Sequence, residues 1–341
     1  MKSPLFPGRH YSPEAHVNDI LYLNNEHLDQ LRLDKTDIVN ILETMFRQKA
    51  QGSTQMPPKV WFYRDQDRFF SAMTSNSKAM GYGGCKWQSG DPDNPLRGLP
   101  YIQGLYILSD DETGEMLAIM DAKWITGQRT AAASALVARY QIREGAQNLA
   151  ILGCGLQGRA HLEVLAAEIP SLRSCRVYDI KPDVQSAFVS DLNRVHNDIE
   201  VIGRNSAKHA IEDADLIITG GPIESERRAS IISEWIKPGA LVITIDYDSY
   251  VSDECIAAMD LVITDDYGQI EDARKKEGKF TGVQAIDADM AQLISNDQGR
   301  RQSDEQRILA FNLGIALEDL ATAVELYQRA LKLNAGIGLP A

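Results

Sequence analysis

The chain has 341 residues, 44% of them hydrophobic and 24% charged, with a net charge of −13 at pH 7. That length suffices for two domains and a large core, and the acidic balance argues against general nucleic-acid or anionic-membrane binding while leaving room for a local basic pocket. No run reaches the roughly 18 apolar residues of a membrane span, the N-terminus lacks an apolar signal core, and four scattered cysteines (Cys85, Cys154, Cys175, Cys255) without C-x-x-C spacing read as free thiols in a reducing cytoplasm.

Residues 1 to about 18 hold three prolines and read as an arm. Ile20 to Leu23 is a short strand, Asn24 or Asn25 can cap a weak helical turn, and Asp34 to Asp37 opens a better helix. There Ile38, Ile41, Leu42 and Met45 recur at i, i+3, i+4 and i+7. Gln51 to Pro58 reads as a loop. From Lys59 to Leu108 the pattern is strand-like, with a hairpin turn at Asp110 to Glu115, so this region predicts a helix on a mostly antiparallel sheet. Ile125 to Tyr140 reads as a small-residue helix.

The stretch Asn148 to Gly158 changes the pattern. A short apolar run ends in Gly153-Cys154-Gly155-Leu156-Gln157-Gly158, which has the spacing G-x-G-x-x-G. An amphipathic helix pattern follows, and a second apolar strand ends on Asp179, about 20 residues on, as a dinucleotide-binding βαβ unit requires. Gly153 allows the tight turn, Gly155 the close approach of a pyrophosphate, and Gly158 close helix–strand packing. The pyrophosphate sits on the helix N-terminus. Asp179 favours NAD over NADP, because a carboxylate accepts from a ribose 2′-hydroxyl and repels a 2′-phosphate; Lys181 is a nearby cation. Further apolar runs at Leu216 to Thr219, Ala240 to Ile245 and Leu261 to Thr264 predict parallel strands covered on both faces. The fold class is therefore α/β, a Rossmann doubly wound parallel sheet plus an α+β substrate-binding and dimerisation domain. The division expected is 1–127 with 316–341, and 128–315. A last long helix is predicted from about Ile308 to Leu333, leaving the nucleotide domain to pack on the first.

Ligands of such sheets sit at the carboxyl ends of the strands. Gly220-Gly221-Pro222 and Asp246-Tyr247-Asp248 stand there. Asp246 or Asp248 can shuttle a proton to or from a substrate nitrogen, or equally cap the next helix. Lys59, Lys86 and Arg129 can hold a substrate carboxylate, although Lys and Arg are mostly solvated surface charges. His161 reads as a helix-face residue, and the absence of an H-x-x-H or cysteine grouping implies no metal.

Four segments together are more specific: Gly83-Gly84-Cys85-Lys86-Trp87, Arg129 to Ala135, Gly153 to Gly158, and Asn312 to Leu320. Through them the chain resembles the ornithine cyclodeaminase/mu-crystallin family over nearly its whole length. The resemblance implies a Rossmann domain, a substrate domain whose sheet pairs across a homodimer, and hydride transfer with NAD. It implies that Lys86, and Lys59 in place of a second cation, contact the substrate carboxylate. Arg129 and Thr130 would lie between substrate and cofactor, and Leu156, Gln157, Asp179, Gly221, Ile245 and Asn312 at the cofactor. Asp248 would stand near the substrate nitrogen. Ser71 stands where cyclodeaminases carry a glutamate base. That favours reversible amino-acid oxidation or imine reduction over ornithine cyclisation, with a non-enzymic crystallin-like binder as a further alternative. Thr264 to Tyr267 and Glu277 to Phe280 resemble the opine-type branch.

Overall fold

Polar–apolar alternation builds one sheet of this protein and continuous apolar runs build the other. The computed structural model describes residues 19–65, 67–223 and 226–340; the arm expected over residues 1 to about 18 lies outside the described residues. The chain divides into two units, residues 1–129 with 315–341 and residues 130–314.

The first unit starts with β1 (Asp19–Leu23), α1 (Asn25–Gln30) and α2 (Lys35–Ala50). Asn24 caps α1 in a capping box with His27, and Asp34 caps α2. Ile38, Ile41, Leu42 and Met45 form the buried stripe of α2. The strands β2 (Thr54–Gln55), β3 (Val60–Asp65), β4 (Arg68–Ser77), β5 (Tyr82–Gly90), β6 (Ile102–Asp110) and β7 (Met116–Asp121) follow. The stretch from Gln51 to Pro58 is thus not all loop: Thr54 and Gln55 extend and pair with Ser77 and Asn76. α3 (Ala122–Gln141) then leads into the second unit.

That unit contains, in order, β8 (Asn148–Leu152), α4 (Leu156–Glu168), β9 (Ser174–Tyr178), α5 (Pro182–Val195), β10 (Glu200–Gly203), α6 (Ala207–Ile211), β11 (Leu216–Thr219), β12 (Leu241–Thr244), α7 (Asp253–Ala257), β13 (Leu261–Thr264), α8 (Tyr267–Glu277), β14 (Ala288–Asp289), α9 (Met290–Asn296) and β15 (Ile308–Phe311). The sheet order is β10-β9-β8-β11-β12-β15-β13-β14, and every pair is parallel. β8 lies between β9 and β11, so the strand order reverses there. Such a reversal opens a ligand crevice at the carboxyl ends of the strands.

α10 (Ala316–Leu333) and β16 (Ile337–Pro340) return to the first unit. α10 packs on α2 and on β4, β5 and β6. The sheet order is β16-β1-β7-β6-β5-β4-β2, with β3 also on β4, and all pairs are antiparallel except β1 with β7. The last helix is shorter than expected. Ile308 to Phe311 is a strand, wholly buried between β12 and β13. Gly314, with φ of +73°, then separates the strand from the helix. Among the described residues no helix is long and apolar enough to cross a membrane.

Asp215 ties the amino ends of β8 and β11 together. Its carboxylate accepts from the Gln147 and Asn148 amides at 2.8 and 2.9 Å and pairs with Lys237 at 2.6 Å. Burial alone would raise its pKa, but the bonds from Lys237, the two amides and Arg143 outweigh it and hold it at about 2. The stabilisation is present above about pH 4 and lost as pH falls through about 2. Asp215→Asn is expected to cost roughly 2 kcal/mol at pH 7. Denaturant unfolding at pH 7 and pH 3 should show a smaller cost at the lower pH; equal costs would remove the linkage.

Candidate active site

The first unit gathers cations on the covered face of β5. Along this strand Tyr82, Gly84, Lys86, Gln88 and Gly90 share that face. Aromatic rings from neighbouring strands lie across the two glycines: a Cβ at Gly84 would run into the Tyr106 side chain, and one at Gly90 into the Phe69 ring. Lys86 is left as a fully buried ammonium. It donates to Asp319 Oδ1 at 2.9 Å and to Thr126 Oγ1 at 3.3 Å, and lies 2.8 Å from Asp319 Oδ2. Arg129 donates from Nε to Asp319 Oδ1 at 2.9 Å and from Nη1 to Glu318 Oε2 at 2.8 Å. Burial pushes Lys86 down to about 8 against the pull of Asp319, and the charges of Arg129 and Lys59 push the same way. Burial likewise raises Glu318, against the pull of Arg129.

The surface reading of these cations is therefore corrected: Lys59, Lys86 and Arg129 are all buried. Carboxylates brought by α10 compensate two of them. Glu318 and Asp319 were missed as site residues in sequence. The signal present was an adjacent acid pair in the first turn of a helix, flanked by the apolar Ala316, Leu317, Leu320 and Ala321.

The second unit carries the glycine turn. Gly153 has φ of +106°, and a Cβ on it would lie 2.6 Å from Gly220 O. A Cβ at Gly158 would strike Gly153 O, whereas one at Gly155 would meet nothing within 4 Å. Gly155 is the N-cap of α4 and supplies no side-chain cap to the helix's first turn. The Asp179 carboxylate accepts from Cys154 N at 2.8 Å and Lys181 N at 2.9 Å. A dinucleotide fits this arrangement: an open glycine at a helix N-terminus, with an acid at the next strand end.

A polar chain orients Asn312, the residue after β15. His161 Nδ1 is 2.7 Å from Gln157 O, and its Nε2 is 2.9 Å from Ser134 Oγ. Burial pushes His161 down to about 4, so the ring is neutral and Nδ1 carries the proton. Nε2 then accepts from Ser134, which accepts from Asn312 Nδ2 at 3.3 Å. Among the described residues Asn312 Oδ1 is left buried without a partner, as is Thr244 Oγ1 at the end of β12.

Beyond β12, Ile245 N donates to Thr219 O at 3.0 Å. Asp246 accepts from Thr219 Oγ1 at 2.7 Å and Gly221 N at 3.0 Å, and burial raises it to about 7. Asp248 Oδ2 accepts from Phe280 N at 2.7 Å and lies 3.1 Å from Arg227 Nε. Among the described residues its Oδ1 is buried and has no partner. Neither acid caps the next helix, which Ser252 caps instead. Among the described residues no three His, Cys, Asp or Glu side chains are grouped to hold a metal.

A family model described as ornithine cyclodeaminase/mu-crystallin matches residues 21–334. The chain is 30% identical to alanine dehydrogenase of Archaeoglobus fulgidus over 93% of its length and 97% of the relative's. It is 28% identical to N-((2S)-2-amino-2-carboxyethyl)-L-glutamate dehydrogenase of Staphylococcus aureus, over 94% and 98%. An archaeal alanine dehydrogenase dimer with bound NAD superposes with a TM-score of 0.83 at 29% identity, over 94% and 99%.

The Lys86 ammonium neutralises as pH rises through about 8. The dissociation constant of a 2-hydroxy acid, a carboxylate without a reactive amine, should be flat below pH 8 and weaken above it. Lys86→Arg, which stays charged, should remove that dependence. An identical slope in both proteins would assign it elsewhere.

Proposed function

The chain belongs to the ornithine cyclodeaminase/mu-crystallin family, and from that membership we propose an NAD-dependent oxidoreductase acting on the C–N bond of an amino acid, or in reverse on an imine. The observation that carries this reading is that one chain holds both an uncapped, glycine-lined helix N-terminus and a buried Lys–Arg cluster. The first suits a dinucleotide pyrophosphate, the second a carboxylate. Asp179 favours NAD over NADP. Gly153, Gly155, Leu156, Gln157 and Gly158 would hold the pyrophosphate, and Thr130, Gly221, Ile245 and Asn312 the remainder of the cofactor.

When bound, NAD supplies the hydride acceptor. Lys86, Lys59 and Arg129 hold the substrate carboxylate. As the Cα–H bond breaks, the nitrogen electron pair forms the C=N bond, and the nitrogen's proton passes to Asp248. Oδ2 of that carboxylate is engaged by Phe280 N and Arg227, so Oδ1 is the atom that takes the proton.

The proposed assembly is a homodimer. The outer face of the first unit's sheet leaves Val60, Phe62, Trp87, Leu105 and Ile107 exposed, with Trp87 46% accessible. Neighbouring apolar positions of this kind mark an interaction surface. The proposed location is the cytoplasm, in keeping with four free thiols.

Lys86→Ala and Asp248→Asn are each expected to lower NADH formation from a broad amino-acid panel by about 100-fold or more, while NAD still raises the melting temperature. Full activity in Asp248→Asn would overturn its role. Ammonia and proline from ornithine without net NADH would mark a lyase instead. Trp87→Asp should convert the dimer to a monomer in light scattering; a wild-type monomer would refute the assembly.

A further inference from the structure

Two buried polar groups near Lys86 have no hydrogen-bond partner among the described residues. Ser71 Oγ on β4 and Gln88 Oε1 on β5 are both without a hydrogen bond, and the residues are 0% and 8% exposed. Ser71 and Gln88 are register partners on adjacent strands. Their Cβ atoms are therefore about 5 Å apart on one face. Gln88 is two residues beyond Lys86, about 7 Å along the same strand and on the same face. Trp61 pairs with Ser71 on the far side, and Gly104 pairs with Gln88 on the other. A Cβ at Gly104 would press on the Gln88 backbone and Cβ, so β6 contributes no side chain at this point.

Buried polar atoms are almost always hydrogen-bonded, and leaving one unmade is costly. Two such atoms on register partners, one same-face position along β5 from Lys86, would be satisfied by a hydrogen-bonding ligand. The partner must hydrogen-bond: a hydroxyl can donate and accept, and a carboxamide can present either face. A second ammonium is disfavoured, because the charges of Arg129 and Lys59 already act against that of Lys86 here.

We propose that Ser71 and Gln88 form the subsite that reads the substrate's side chain, and that this side chain carries a hydroxyl, carboxamide or carboxylate rather than an alkyl group. The proposal rests on the amino-acid oxidoreductase reading above. An apolar substrate would leave both atoms orphaned in the complex, a mismatch that polar-reading sites reject strongly.

The test compares near-isosteres with NAD present: serine against 2-aminobutyrate, and asparagine against leucine. Expected is a kcat/KM ratio of about 10 to 100 in favour of each polar member, and a larger thermal shift from it. Gln88→Leu and Ser71→Ala should each collapse the ratio. Each should also leave the melting temperature of the ligand-free protein unchanged or higher, because an unsatisfied polar atom has been removed. A side chain with a purely structural role would lower that temperature and leave the ratio intact. Should one variant fail to fold, the other reads the same ratio. Equal turnover and equal stabilisation by both members of a pair, or stabilisation by neither, overturns the subsite. Failure of the dehydrogenase reading is distinct: the polar members still stabilise the protein, but no NADH forms with any compound.

Discussion

A lysine ammonium taken wholly out of water is the constraint that shapes the first unit. Burying such a charge costs several kcal/mol unless opposite charge and hydrogen bonds come with it. No residue of β5 or its neighbours β4 and β6 supplies the carboxylates that pair with Lys86 and Arg129; they come from α10, at the other end of the chain. One oxygen, Asp319 Oδ1, accepts from Lys86 and Arg129 together, so the two cations are held at a shared point. The discontinuity of the unit follows from this need as much as from apolar packing. A helix that only covered the sheet would not have to bring two acids into its first turn.

The second unit solves a different problem, the orientation of groups that could each point two ways. An asparagine amide and an imidazole both have interchangeable ends. Here the Gln157 carbonyl at the start of α4 decides the His161 tautomer, which decides the Ser134 hydroxyl, which decides the Asn312 amide. The glycine turn and the residue after β15 are thereby coupled through side chains of two helices, α4 and α3.

Much of this was legible in sequence, for identifiable reasons. The parallel strands were visible because a strand covered on both faces must be apolar without interruption, as Leu216 to Ile218 are. Asp34 and the spacing of Ile38 to Met45 marked α2, since a capped helix buries one stripe. The glycine spacing marked the nucleotide unit because backbone conformation and close approach admit no larger residue at Gly153 and Gly158. What failed depended on pairing across long separations. Ile308 to Phe311 merged with the helix after it, because four apolar residues fit either period until flanking strands claim them. The cations looked solvated because their partners lie as much as 233 residues away. Ser71 showed in sequence only as a departure from a family glutamate, and its pairing with Gln88 did not show; that comes from register, which places two polar side chains opposite one another on a covered face.

The way the chain leaves the first unit and comes back bears on how it is made. During synthesis the strands from β1 to β7 emerge first, yet the helix that covers β4, β5 and β6 follows only after the whole 130–314 unit. The intervening 130–314 unit is continuous in sequence and can close its own core while translation proceeds, as domains commonly do. Until Glu318 and Asp319 arrive, the half-built sheet carries an uncompensated lysine and an uncovered apolar face. Its completion therefore waits until the whole of the intervening unit has been made.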